Sequence, residues 1–387
     1  MIKKFGTLYA GHIDFEDIGF AATAANDRKY TNEQLVTAYD KAEAIAKVMD
    51  RTGYDTFWMA EHHFQHEGYE AIPNILMLAT HLAGITKNIR FGCGFNVSPM
   101  WHPIRLAEDY AMADVLTGGR VTFGIGRGYH TREVESFGAP LRDKDANRDL
   151  FEEQVDIMFK AFNEEKFSHH GTYYDIPADV EYRGYPLEEV TLVPRPLNRP
   201  VDCYQPIQSG SARGLDFMVK HGIKGLVGGG AASGGAPSPV VQGWRDALAR
   251  GGRDTELGTD LIVGVSVYIA DTEKRAMAEA SRYFEENMKM FGPLTLMGAL
   301  GTEKVEALGD PKRAPSAGLP TIEDAVKSGQ WLCGPPELII EKLEALQHLY
   351  PGLEFVNVGS VIGTPQSVLI EQLELFSSEV MPHFTGS

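Results

Sequence analysis

The stretch WMAEHHFQHEGYE, residues 58–70, holds three histidines and three glutamates. Imidazole titrates near pKa ~6.5, so a histidine among carboxylates can take and give a proton near neutral pH. The same side chains also bind metals. His62 and His66 stand four apart, but the segment is not HExxH. Three readings stay open on the residues alone: a general base, a metal site, and a hydrogen-bonded core histidine. Other groups with chemistry lie farther along. Asn96 follows NIRFGCGF; Arg127, Tyr129 and His130 lie in GRGYH; SGSARG spans 209–214. Small residues before a helix let backbone N–H groups approach an anion, and Arg127 and Arg148 supply fixed positive charge. GIGRG by itself lacks the full dinucleotide fingerprint.

The elements that must carry these groups alternate between strand and helix. KKFGTLYAG, YDTFWMA, NIRFGCGFNV and RVTFGIGRG are apolar, β-rich runs, as in a parallel sheet covered by helices. Between them, residues 33–52 show helical spacing closed by Gly53, Pro73 to Leu82 predicts a second helix, PIRLAEDYAMADVLT a third, and Asn147 to Asn163 a fourth. The repeat matches βα units. IKGLVGG, TDLIVGVSVYIAD and EFVNVGS continue the series. Together with a strand leading into SGSARG this makes about eight strands, which favours a (β/α)8 barrel over a doubly wound sheet. Residues 168–208 and 293–334 read as inserts in a single domain spanning 1–387, the second as a candidate lid. In such a barrel the chemistry gathers at the C-terminal strand ends. Glu61, His62, Asn96 and Arg127 hold those positions. Asn96 and Arg127 are poor company for a divalent cation, so no metal is expected.

Composition narrows the function class. With 43% hydrophobic residues, the 387-residue chain can bury a large core. The net charge of −17 argues against nucleic-acid backbones and anionic membranes as partners. Three scattered cysteines give no disulfide framework, and the start lacks a long apolar run. A cytoplasmic protein is expected.

AEHHF after a strand, HPIRLAEDYAMADVLTGGRVTFGIGRGYHTREVESFG, and the terminal LFSSEVMPHF closely resemble the bacterial luciferase-like flavin monooxygenases. The resemblance runs over most of the chain and is strongest from 53 to 165. It implies a (β/α)8 barrel that takes reduced FMN from a separate flavin reductase. A flavin C4a-hydroperoxide formed with O2 then oxygenates a small apolar substrate. It implies His62 as the catalytic histidine, and Arg127, Arg148 and the turn Ser209, Gly210, Ser211 at the FMN phosphate. Glu61, Gly94, Phe95, Asn96 and Tyr129 would lie around the flavin, with a non-proline cis peptide near Gly94–Phe95. The aromatic residues Trp58, Phe64, Phe95, Trp101 and Tyr129 suit an apolar pocket, and a homodimer is expected. Two alternatives stand beside this reading: a deazaflavin-dependent oxidoreductase of the same family, and a flavin-binding protein without turnover. The chain departs from the luciferases at Gly126, where they carry a reactive cysteine, at Gly210, where they carry an acidic residue, and at Gly214, where they carry a threonine. These departures weaken the case for light emission and an aldehyde substrate.

Overall fold

The computed structural model describes residues 1–208, 210–294, 300–359 and 361–386. Eight parallel strands close into a barrel: β1 (Lys4–Tyr9), β2 (Thr56–Met59), β3 (Arg90–Cys93), β4 (Val121–Gly126), β5 (Cys203–Pro206), β6 (Lys224–Val227), β7 (Leu261–Ile269) and β8 (Phe355–Gly359). The closing pairs are β4 with β5, where Cys203 faces Phe123, and β8 with β1, where Phe355 faces Lys4. The strands read as apolar runs because side chains on both faces are buried. In β2, Phe57 and Met59 pack under the helices. Trp58 meets Tyr204, Ile262 and Phe355 from β5, β7 and β8 inside the barrel. Gly92 of β3 makes room for that indole, since a Cβ there would stand 2.3 Å from the Trp58 ring.

The helices follow the expected periodicity. The expected helix over 33–52 is split into Asn32–Leu35 and Thr37–Thr52, and the second part ends on Gly53, whose φ of 84° needs no Cβ. Ile75–Ala83 starts from an Asn74 cap rather than from Pro73. Pro103–Leu116 is followed by two left-handed glycines, Gly118 and Gly119. Lys144–Asn163 starts earlier than expected because the Asp143 carboxylate accepts from the N–H groups of Asp145 and Ala146. Among the described residues, no helix is long and apolar enough to cross a membrane, and all three cysteines are free and buried.

The inserts differ from expectation in two ways. The stretch 168–208 contains two short antiparallel ladders, His169–His170 with Asp175–Ile176 and Glu181–Tyr182 with Tyr185–Pro186. Its end is not an excursion, because Cys203–Pro206 is the fifth barrel strand. That strand is four residues long, ends in proline and follows three prolines (Pro194, Pro196, Pro200), so it looks like loop. The second insert folds onto the barrel's flank. Strand Trp331–Gly334 pairs with the second half of β7, and Leu308, Ile322 and Trp331 share a small core with Tyr283 and Phe284 of helix Glu273–Phe291. None of the described residues 300–334 lines the barrel mouth; residues 295–299 of the candidate lid lie outside the described residues.

Candidate active site

At the C-terminal ends of the strands lies a cleft of about 570 Å³, within the ordinary range for small-molecule sites. It has two chemically distinct ends. At one, Arg127 follows β4 and Arg148 projects from the first turns of helix Lys144–Asn163, with Gly210, Ser211 and Gly214 opposite them. Ser211 caps helix Ala212–Lys220 without spending its hydroxyl on a cap hydrogen bond. Gly214 leaves the two groups room: a Cβ there would sit 3.1 Å from both the Arg148 guanidinium and the Ser211 Oγ. Burial, and then the like charge of Arg148, disfavour the Arg127 cation. Two guanidiniums, a hydroxyl that makes no cap bond and a helix N-terminus at one end of the cleft fit a dianionic phosphate. Ser209, expected in the same turn, lies outside the described residues.

At the other end stands His62, just beyond β2. Its Nδ1 lies 3.2 Å from Glu133 Oε2, and its Nε2 lies 3.2 Å from Glu70 Oε1 and 3.0 Å from the Tyr129 hydroxyl. Tyr129 also donates to Glu70 Oε1 at 3.0 Å. His130 Nε2 approaches Glu70 Oε2 at 3.0 Å, and Gln65 donates to both Glu70 and Glu133. His62, Glu70, His130 and Glu133 are all buried. Burial alone would lower the His62 pKa, but Glu70, Glu133 and Glu61 outweigh it and raise it. Glu133 is held below the usual carboxylate range: burial pushes it up, but His62 and His130 prevail.

Two histidines and two carboxylates are also what metal sites are built from. Here one ligand atom from each of His62, Glu70, His130 and Glu133 lies within 4.8 Å of all the others. His62 turns different nitrogens to the two carboxylates, which one ion cannot use together. In this structure the four side chains meet in an ion-pair and hydrogen-bond network.

The structure brings some predicted residues to the cleft and not others. Glu61, His62, Gly94, Phe95, Arg127, Tyr129, Arg148, Gly210 and Ser211 line it. The Gly94–Phe95 peptide is cis, where the resemblance places it. Glu61 reaches the wall but is fully engaged, accepting from Val97 N–H at 2.7 Å, Trp101 Nε1 at 2.8 Å and His63 Nε2 at 3.1 Å. It brackets β2 to the segment after β3. Asn96 does not line the cleft: it pairs in register with Ile125, is fully buried and donates to Gly124 C=O at 2.9 Å. Of the five aromatic residues, only Phe95 and Tyr129 line the cleft, and Phe291 joins them from a distant helix. Trp58 fills the barrel, Trp101 serves Glu61, and Phe64 is exposed and stacks on Phe137. Glu70 and Glu133 escape a reading of strand ends. The loop after His62 folds back, with the His62 N–H donating to Ile72 C=O, and so returns Glu70 to the histidine.

The family model described as luciferase-like monooxygenase matches residues 17–351. The oxygenase component of a flavin-dependent trigonelline monooxygenase from Acinetobacter baylyi is 30% identical over 170 residues, covering 44% of this chain and 42% of that protein. The match spans under half the length of the curated relatives. Among solved structures, the oxygenating constituent of 3,6-diketocamphane monooxygenase from Pseudomonas putida, in complex with FMN, superposes with a TM-score of 0.71 at 22% identity, covering 99% of both chains. A coenzyme F420-dependent tetrahydromethanopterin reductase from Methanopyrus kandleri gives 0.65 at 16% identity, covering 99% of this chain and 100% of that one. At these identities the structures speak for the fold alone.

Proposed function

The chain belongs to the luciferase-like monooxygenase family, and from that premise we propose that it is the oxygenase of a two-component system. It uses reduced FMN and O2 to oxygenate a small, mainly apolar organic substrate. The observation that carries this reading is the pairing of a cationic, phosphate-shaped end with a histidine–carboxylate end in one cleft. Arg127, Arg148, Ser211 and the backbone at Gly210 would hold the FMN phosphate. Reduced flavin, when bound, supplies the electrons that activate O2, one atom of which goes to the substrate and the other to water. Leu8, Phe95, Val97, Met218 and Phe291 exclude water from the cleft. His62 holds the proton that the reaction needs at Nε2, and Glu61 fixes the wall beside it.

A separate reductase follows from the same reading. No dinucleotide fingerprint occurs in the chain, and the Acinetobacter relative is itself named as an oxygenase component. A homodimer would cover the exposed Met77, Met112, Val115 and Leu116 on neighbouring helices Ile75–Ala83 and Pro103–Leu116. The experiment supplies FMN with a generic NADH-dependent flavin reductase and compares the chain present with the chain absent. Substrate-dependent diversion of O2 from hydrogen peroxide to an oxygenated product supports the proposal. Turnover with reduced deazaflavin in the absence of O2 would move the chain to the deazaflavin branch.

A further inference from the structure

Resting on that reading, we propose that Glu70, Glu133 and Tyr129 are positioning residues for His62. They hold its ring as a doubly protonated imidazolium, so that its Nε2–H is a proton donor to an acceptor in the cleft. The Tyr129 hydroxyl then takes over that nitrogen once the proton has left.

An ionised carboxylate only accepts hydrogen bonds, and a neutral imidazole has a single N–H. His62 faces a carboxylate from each nitrogen, Glu133 at 3.2 Å and Glu70 at 3.2 Å. With both carboxylates ionised, the doubly protonated ring presents an N–H to each, whereas the neutral ring with its proton on Nδ1 serves Glu133 alone and takes its Nε2 bond from Tyr129. The titratable groups around it are Glu61 on its own strand end, Glu70 on the returning loop, and Tyr129, His130 and Glu133 on the segment after β4. Arg132 lies behind them, paired with Glu67 at 2.7 Å. Three carboxylates thus surround one or two imidazoles. The direction of the His62 shift agrees: burial opposes the charged ring, and Glu70 and Glu133 more than compensate.

Tyr129 makes the release reversible. Its hydroxyl is 3.0 Å from both His62 Nε2 and Glu70 Oε1. While the ring is charged, the hydroxyl proton points to Glu70. When Nε2–H passes to its acceptor, the ring keeps Nδ1–H toward Glu133 and gains a lone pair at Nε2. The hydroxyl rotates to donate to that lone pair, while Glu70 keeps its bond from Gln65. One proton moves, and no electrons change hands. Tyr129 itself stays protonated, because burial and then Glu70 and Glu133 push its pKa well above the ordinary phenol value.

The test follows the ring itself, in the full-length chain without flavin, labelled with 15N-histidine and treated with chelator. The expected spectrum at pH 7 has both His62 nitrogens protonated, with a titration midpoint above that of free imidazole. Glu70→Gln should lower the midpoint by about one pH unit or more, and Glu133→Gln should do the same should the first variant fold poorly. Tyr129→Phe, which removes the donor to the neutral ring, should raise the midpoint. A neutral His62 at pH 7, or a midpoint unmoved in both glutamine variants, overturns the proposal; a midpoint that falls in Tyr129→Phe overturns the hand-over. Stoichiometric Zn²⁺ binding that Glu70→Gln abolishes also overturns it, since the metal would claim the nitrogen. Because flavin takes no part in this measurement, its outcome is separate from that of the flavin reading.

Discussion

Arg148→Ala tests the phosphate end of the cleft, and its size can be worked out beforehand. Among the described residues, the ion-pair partner of Arg148 is a loose one, Glu152 at 3.6 Å. Glu152 keeps a closer one in Arg213 at 2.6 Å, so removing Arg148 strands no buried charge and the fold should stand. The loss is then confined to the ligand. A hydrogen bond to a charged group is worth about 1.5–3 kcal/mol, which is roughly 10- to 150-fold in Kd. The Arg148 side chain is 19% exposed, so solvent screening places the expected loss in the lower half of that range. Removing it also relieves Arg127 of a like-charged neighbour, a further reason against the upper limit. The assay is titration of reduced FMN and reduced riboflavin, under anaerobic conditions, into wild type and variant. FMN affinity should fall toward that of riboflavin, while riboflavin affinity stays the same. Equal losses for both ligands would place Arg148 away from the phosphate, and no loss for FMN would refute the assignment.

Three further outcomes follow from the same geometry. His62→Ala should keep the fold and flavin affinity but lower coupled oxygenation by about 10²–10⁴-fold, with hydrogen peroxide released instead; His63→Ala and His66→Ala should do less, since His63 turns to Glu61 and His66 is half-exposed, and equal losses at all three would dissolve the special role of His62. Glu61→Ala strands the Val97 N–H and the Trp101 indole N–H; at about 1–3 kcal/mol for each unsatisfied buried donor, urea unfolding should show a loss of roughly 2–6 kcal/mol, and a change within error would mean that the bracket carries no load. The raised His62 pKa has a definite sign in stability: the folded state binds the proton more tightly, so the advantage of wild type over His62→Gln should be full below about pH 6.5 and shrink as the pH rises through the folded pKa, and an advantage that grows with pH would contradict the ion pairs.

How far the sequence could be read depended on whether a residue's position follows from its own element. Trp58, Phe91 and Phe123 sit on apolar runs bounded by glycines and helices, and periodicity alone places such runs in a barrel wall. His62 and Arg127 follow directly from the ends of β2 and β4. Asn96 obeyed a different constraint: the chain after β3 pairs with β4 and turns the side chain into the wall. Cys203–Pro206 was obscured because the residues that make it a strand, its neighbours β4 and β6, are far away in sequence. Glu70 and Glu133 were in plain view as residue types, but the loop closure from His62 to Ile72 and the short helix Thr131–Val134 bring them to the imidazole. No spacing rule anticipates either.

The central claim is that the chain uses reduced FMN and O2 to place oxygen on an organic substrate, and isotope incorporation tests it most directly. The chain, loaded with reduced FMN, is mixed with ¹⁸O₂ and a panel of ketones, aldehydes, terpenoids, thioethers and N-methylated heterocycles, and the products are followed by mass. The account predicts a product carrying one ¹⁸O atom, with the yield lost in Arg148→Ala at limiting FMN and in His62→Ala at saturating FMN. Failure of the chain to retain reduced FMN, or a product that forms without O2, would contradict it.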